Sequence, residues 1–168
     1  MNPTPTEIYV SRLTALKTGE LAMLRSHTGQ GIDRSVAAFD LFSGIWWPLR
    51  EKNQRAPRRQ VAWLVAKLFA SCPVDHAPHH PLPSQLSRCR IQDERQDRRL
   101  AQKFDDLLMQ PLIDIENPLR WAIGVVESHN LKLDWVRLTD DLSIWDRETT
   151  RLRWAGQFLD SNEGSGLC

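Results

Sequence analysis

PRRQVAWLVAKLFA, residues 57–70, is the stretch whose reading decides the fold. Val61, Leu64, Val65, Leu68 and Phe69 fall at i, i+3, i+4, i+7 and i+8, the spacing of one wide apolar stripe on an α-helix. Trp63 lies on the other side of that helix, beside Ala62 and Ala66, so a second layer of protein or a partner must cover it too. The spacing therefore predicts a central helix. Pro57 suits its first position, where the missing N–H has no intrahelical partner, and Ser71, Cys72 and Pro73 mark its end. Arg50, Lys52, Arg55, Arg58 and Arg59 crowd the approach to an N-terminus that already carries partial positive charge. Such a placement is unfavourable unless an anion lies nearby, which makes it a functional clue.

Working outward, 168 residues with 41% apolar content suffice for one substantial core or two small ones. No segment reads as a signal peptide and no apolar run approaches the roughly 20 residues that span a bilayer, so a cytoplasmic location is expected. Cys72, Cys89 and Cys168 are an odd set without the spacing of a disulfide framework, in keeping with a reducing compartment. Seven tryptophans stand against one tyrosine, and indoles of this kind serve mainly as anchors where helices cross. The net charge of +1 conceals a segregation: Arg50 to Lys103 holds twelve basic and five acidic residues, and the remainder is acidic on balance. A cationic middle with so few acids is the electrostatic footprint of a polyanion binder, or of a surface for an acidic protein.

Ahead of the central helix, Thr6–Leu16 reads as a first helix and Glu20–Arg25 as a short second one, followed by a loop at Gly29 and Gly31. Ser35–Phe42 reads as helical, leading into a compact apolar bend at Gly44, Trp46, Trp47 and Pro48. The Trp46-Trp47 pair there is expected to pack on the central helix rather than stack on bases. Behind it, four prolines and three histidines between Pro73 and Pro83 exclude a regular element and predict a long loop joining two helical domains. Gln85–Arg90 makes a turn of helix. Asp93 caps a longer helix with Leu100, Phe104, Leu107 and Leu108 buried and Arg95, Arg98 and Arg99 opposite them. Arg95 and Arg99 repel at i, i+4, and no acid in the helix relieves them at that spacing, so phosphate explains this face better than helix stability does. Asn117-Pro118 starts a helix with Leu119, Ala122, Ile123 and Val126 inward, and Asp134 caps one with Trp135, Leu138, Leu142 and Trp145 inward. A last helix over 147–159 carries Leu152, Ala155 and Leu159 as its stripe, with Trp154 and Phe158 at i, i+4; residues 161–168 should fray. The expected fold is all-α: two small helical bundles, 1–72 and 85–160, joined by a proline-rich loop over 73–84.

Enzymatic readings find little support. Asp105-Asp106, Asp114, Glu116 and Asp140-Asp141 are the carboxylates available to a metal-dependent hydrolase, but adjacent residues on a helix point about 100° apart and these acids sit where side chains stay solvated. No serine lies in a nucleophile elbow, and His27 and His129 fall in loops. Cys72, His76, His79, His80 and Cys89 are the right residue types for zinc, but they lack a C-x-x-C and are separated by stiffening prolines. No cofactor or metal is expected, nor is catalysis.

Leu24-Arg25, Pro57-Arg58 before a Trp-Leu-Val-Ala helix, Leu86-Ser87-Arg88, Arg98-Arg99, Leu119-Arg120, Leu133-Asp134-Trp135, and Trp145 followed by Trp154-Ala155-x-x-Phe158 occur in that order. In this the chain resembles the small subunit of the type I-E CRISPR Cascade complex, the CasB family, from about Glu7 to Leu159. The family tends to show Leu-Arg-Arg where this chain has Leu24-Arg25-Ser26 and Leu119-Arg120-Trp121, and a second arginine where Cys89 stands. The resemblance implies a non-catalytic helical protein, paired with a second copy along the crRNA-bearing backbone subunits and beside the large subunit, that holds target DNA and steadies the R-loop. Carried over by position, Arg25, Arg58, Arg88, Arg98, Arg99 and Arg120 are the matching arginines, and charge placement adds Arg59, Arg90 and Arg95. The competing class is a helical adaptor whose basic stripe meets an acidic protein.

Overall fold

The computed structural model describes the backbone of residues 2–164 and the side chains of residues 2–160. The chain divides at Pro73–Val74 into two compact units. Both are helical; among the described residues no strand forms, and a single isolated parallel bridge joins His76 to Leu133.

The first unit comprises α1 (Pro5–Thr14), α2 (Thr18–Arg25), α3 (Val36–Lys52) and α4 (Arg59–Ser71). The central-helix reading holds at α4, where every residue from Val61 to Ala70 is buried. Its neighbours use polar tips on apolar bodies: the Tyr9 hydroxyl donates to the Ala62 carbonyl at 2.5 Å, and Arg25 Nε donates to the Ala70 carbonyl at 3.1 Å near the helix end. Gly29, in the left-handed region at φ 79°, turns the chain after α2. The next carbonyl, Gln30 O, accepts from both Trp63 Nε1 and Lys67 Nζ at 2.9 Å, which lets a lysine sit inside.

Two expectations fail here. Pro57 does not begin α4: it precedes the N-cap, Arg58, and its carbonyl accepts from Trp46 Nε1 at 2.7 Å. The compact bend expected at Gly44–Pro48 is instead part of one continuous helix, α3. A proline inside a helix removes one ladder bond and crowds the preceding turn; here the residue four back is Gly44, and Arg12 Nη1 donates to the nearby Ile45 carbonyl at 3.0 Å. This tertiary bond supports the disturbed turn.

The second unit contains α5 (Leu82–Arg88), α6 (Glu94–Leu108), α7 (Glu116–Ser128), α8 (Trp135–Ser143) and α9 (Glu148–Gly164). Residues 74–81 are no free linker; they are laced to the start of α8. Ala77 N–H donates to Leu133 O, Leu133 N–H to Asp75 O and Asp134 N–H to His80 O, while Trp135 Nε1 donates to Val74 O at 2.8 Å. Asp93 and Asp134 cap α6 and α8 as expected. Asn117 is not the cap of α7, which begins at Glu116 after Ile115. The stripe assigned to α9 faces outward: Leu152 and Leu159 are 63% and 57% exposed, whereas Trp154 and Phe158 are buried. Helix α9 also continues past Leu159 to Gly164; residues 165–168, the rest of the tail expected to fray, lie outside the described residues.

Candidate nucleic-acid interface

Helix α6 is positioned by its inner face. Phe104 and Leu107 are buried, and Phe104 stacks on Phe158 of α9 with centroids 4.3 Å apart and planes 20° from parallel. At about 100° per residue this turns Arg95, Arg98, Arg99 and Gln102 to solvent. These four side chains, with Asp93 and Glu94 at the helix start, line an open depression of about 530 Å³. Among the described residues, Arg95, Arg98 and Arg99 form no salt bridge, so the like-charged pair at 95 and 99 stands unrelieved. Lys103, one turn beyond Arg99, places its ammonium over the Trp121 ring of α7, 5.3 Å from the centroid. It extends the cationic face towards α7, and its i+4 spacing from Arg99 is a signal that the sequence reading passed over.

The other sequence-derived arginines are less alike. Arg90 is committed within the fold: its Nε and Nη2 donate to Asp97 Oδ1 and Oδ2, both at 2.7 Å, and its guanidinium lies 5.1 Å from the centroid of Phe158. This fork seats the base of α6 on α9 and draws Asp97 away from the outer arginines. Arg120 is half-buried and donates to Asn117 Oδ1, while Arg88 is exposed and lies 3.4 Å from Gln85 Oε1. In the first unit Arg25 is tied through Nε to Ala70, Arg58 is the N-cap of α4, and Arg59 is exposed on its first turn. Arg50, part of the crowded approach to α4, donates to the Gln54 and Ala56 carbonyls at 2.7 Å each, so protein oxygens answer part of the charge conflict there.

The hydrogen bonds from Arg90 hold the Asp97 carboxyl below its usual range, against a smaller opposing effect of burial. Its ionised form therefore stabilises the fold above the unfolded carboxylate value, ~3.9, and that contribution disappears as pH falls through the lower folded value. Asp97→Asn should lower stability near neutrality yet flatten the acid limb of the stability–pH curve below pH ~4. Chemical denaturation of variant and parent across that range checks this; parallel curves would contradict it.

The carboxylates considered for catalysis do not converge. Asp105 and Asp106 are exposed on α6, with Gln102 Nε2 donating to Asp106 Oδ1. Asp141 is buried, not solvated as its position suggested, and is taken up by Arg137, Arg153 and Trp154 Nε1. Burial raises its pKa despite those partners. Among the described residues no three His, Cys, Asp or Glu side chains group to hold a metal ion. His76 Nδ1 accepts from Trp135 N–H, and the Cys89 thiol, pushed up to about 11 mainly by burial, donates to Gln85 O at 3.3 Å. No described helix is long and apolar enough to cross a membrane.

Together these features define a helical protein of two units whose second unit presents a cationic helix face. The family model for CRISPR-associated protein Cse2 matches residues 20–159, and the chain belongs to that family. The fold is similar to that of M. ruber CasB, with a TM-score of 0.79, 19% identity and 98% of each chain covered. It is also similar to a Cse2-family CRISPR-associated protein from Thermus thermophilus, with TM-score 0.69, 24% identity, and 90% and 94% covered. A third likeness is to a chain in E. coli Cascade bound to a PAM-containing dsDNA target, with TM-score 0.68, 16% identity, and 96% and 99% covered. No curated protein sequence matches the chain.

Proposed function

We propose that the chain is the small, non-catalytic subunit of a cytoplasmic CRISPR surveillance complex of the Cascade type, and that it holds target DNA and stabilises the R-loop through its basic helical surface. Its partners are crRNA and the backbone subunits that carry it, the large subunit, and a second copy of itself. Family membership and the likeness to a chain of DNA-bound Cascade support the setting. The observation that carries the molecular reading is the outer face of α6, where three arginines are exposed and make no salt bridge among the described residues. Exchange of a DNA duplex for an RNA–DNA heteroduplex is nearly balanced in free energy, so contacts to the backbone can tip it without reading sequence.

Changing Arg98 and Arg99 together to alanine tests this. Each lost phosphate contact should lower the salt slope of binding by roughly 0.7 on single strands or 0.9 on duplex, equally on unrelated sequences. Folding should barely change, since both side chains point away from the Phe104 and Leu107 face and the repulsion of Arg95 by Arg99 is removed. Titrations at several salt concentrations, with thermal melts as control, give the answer. Parental affinity and slope alongside unchanged melts would exclude this face as the nucleic-acid site and favour docking of an acidic protein.

A further inference from the structure

Trp47 stands apart among the tryptophans. Trp46, Trp63, Trp135, Trp145 and Trp154 are buried, whereas Trp47 is 52% exposed in the last turns of α3. Its neighbour Trp46 explains the difference: that ring stacks on Phe42 at 5.4 Å and donates to Pro57 O, leaving the next residue, about 100° round the helix, facing out. An indole left this open gives up burial that the fold could have used. The same bonds fasten a cationic loop to this end of α3. Trp46 holds Pro57, and Arg50, one turn beyond Trp47, holds Gln54 and Ala56, so the loop carrying Arg55 and leading to Arg58 and Arg59 is fastened against this end of α3. Lys52, Arg55, Arg58 and Arg59 are all exposed; Glu51, one turn beyond Trp47, and Asp40, two turns before it, are the acids on this side.

We infer that Trp47 is a stacking platform for an unpaired base, and that the adjoining phosphates of the same single strand run over Arg55, Arg58 and Arg59. A flat ring beside a surplus of cations is the combination that binds single strands without reading sequence, because every base has a π-face and every nucleotide a phosphate. A duplex does not fit, since its base faces are closed by stacking. This inference rests on the nucleic-acid reading above but concerns a different surface.

The test uses the full chain and anisotropy of a labelled oligo-dT strand, an abasic strand of the same length, and a duplex. The parent should bind oligo-dT about tenfold more tightly than the abasic strand. Trp47→Ala should bind both alike with the parental salt slope, and Trp47→Phe should restore most of the preference. The Arg98/Arg99 alanine pair should do the opposite, lowering the slope and keeping the preference. Trp47→Ala retaining the parental preference, or a parent that does not distinguish the two strands, overturns the stacking role while leaving phosphate binding standing. A parent that binds neither strand nor duplex overturns both readings. If Trp47→Ala binds nucleic acid as the parent does but is lost from a co-purified complex, the ring is a protein contact and the inference fails.

Discussion

Trp154→Ala should destabilise the second unit by about 4–8 kcal/mol, enough to remove most of the stability that a domain of this size typically has. Trp154 is 1% exposed, lies edge-on to Trp145 with centroids 4.9 Å apart, and donates from Nε1 to Asp141 Oδ2 at 2.8 Å. Truncation opens a cavity of indole size, which alone costs about 3–5 kcal/mol. It also strips a buried carboxylate of one donor, which adds about 1–3 kcal/mol. Arg153 and Arg137 cannot make good that loss, since both are partly in water. Trp154→Phe separates the contributions: most of the packing survives, the N–H does not, and about 2 kcal/mol should be lost near neutrality.

The pH dependence gives a second readout. Burial is the main influence on Asp141 and raises its folded pKa, so ionisation opposes folding, and the penalty grows as pH rises from the unfolded value of ~3.9 towards the folded one. Removing the Trp154 donor widens that gap. The stability deficit of Trp154→Phe should therefore shrink in acid, and a deficit independent of pH would show that the bond to Asp141 contributes nothing. Any loss of the proposed DNA binding in Trp154→Ala would follow from the fold, because α9 also carries the Phe158 on which α6 rests.

Trp135→Ala should cost about 3–5 kcal/mol and, more specifically, release residues 74–81. Trp135 is fully buried at the first position of α8, and its indole donates to Val74 O. The backbone N–H of the same residue donates to His76 Nδ1 at 3.1 Å, and Leu133 pairs with Asp75 and Ala77 on either side of the bridge. These bonds share one condition, that Val74 and Trp135 stay in register. Amide exchange at Ala77 and Leu133 should accelerate well beyond the change in global stability, and Trp135→Phe should show an intermediate loss. Uniform acceleration across the unit, with no excess in this stretch, would mean that the indole merely fills space.

Much of the fold can be read in the chain because a helix advertises its buried face locally. The stripes at Val61–Phe69, Leu119–Val126 and Trp135–Leu142 are all inward, and Asp93 and Asp134 cap the helices that they precede. The outward face of α6 was equally legible, since Arg95, Arg98 and Arg99 follow from Phe104 and Leu107 by the helical period alone. Periodicity stops being informative where two faces of one helix both qualify. On α9, Leu152, Ala155 and Leu159 make a correct stripe, yet Trp154 and Phe158 turn inward, because Asp141 offers an acceptor for the indole and Phe104 a ring for stacking. Adjacent tryptophans at 46 and 47 are equivalent by composition; Phe42 and the Pro57 carbonyl decide which is buried. Arg90 looks like any other surface arginine until α9 supplies Phe158 beneath its fork with Asp97. Hydrophobic period and capping act within a few residues and are written in the sequence, whereas the choice between rival faces, and between a cation bound internally and one left to a ligand, depends on partners distant in sequence that only the packed structure brings near.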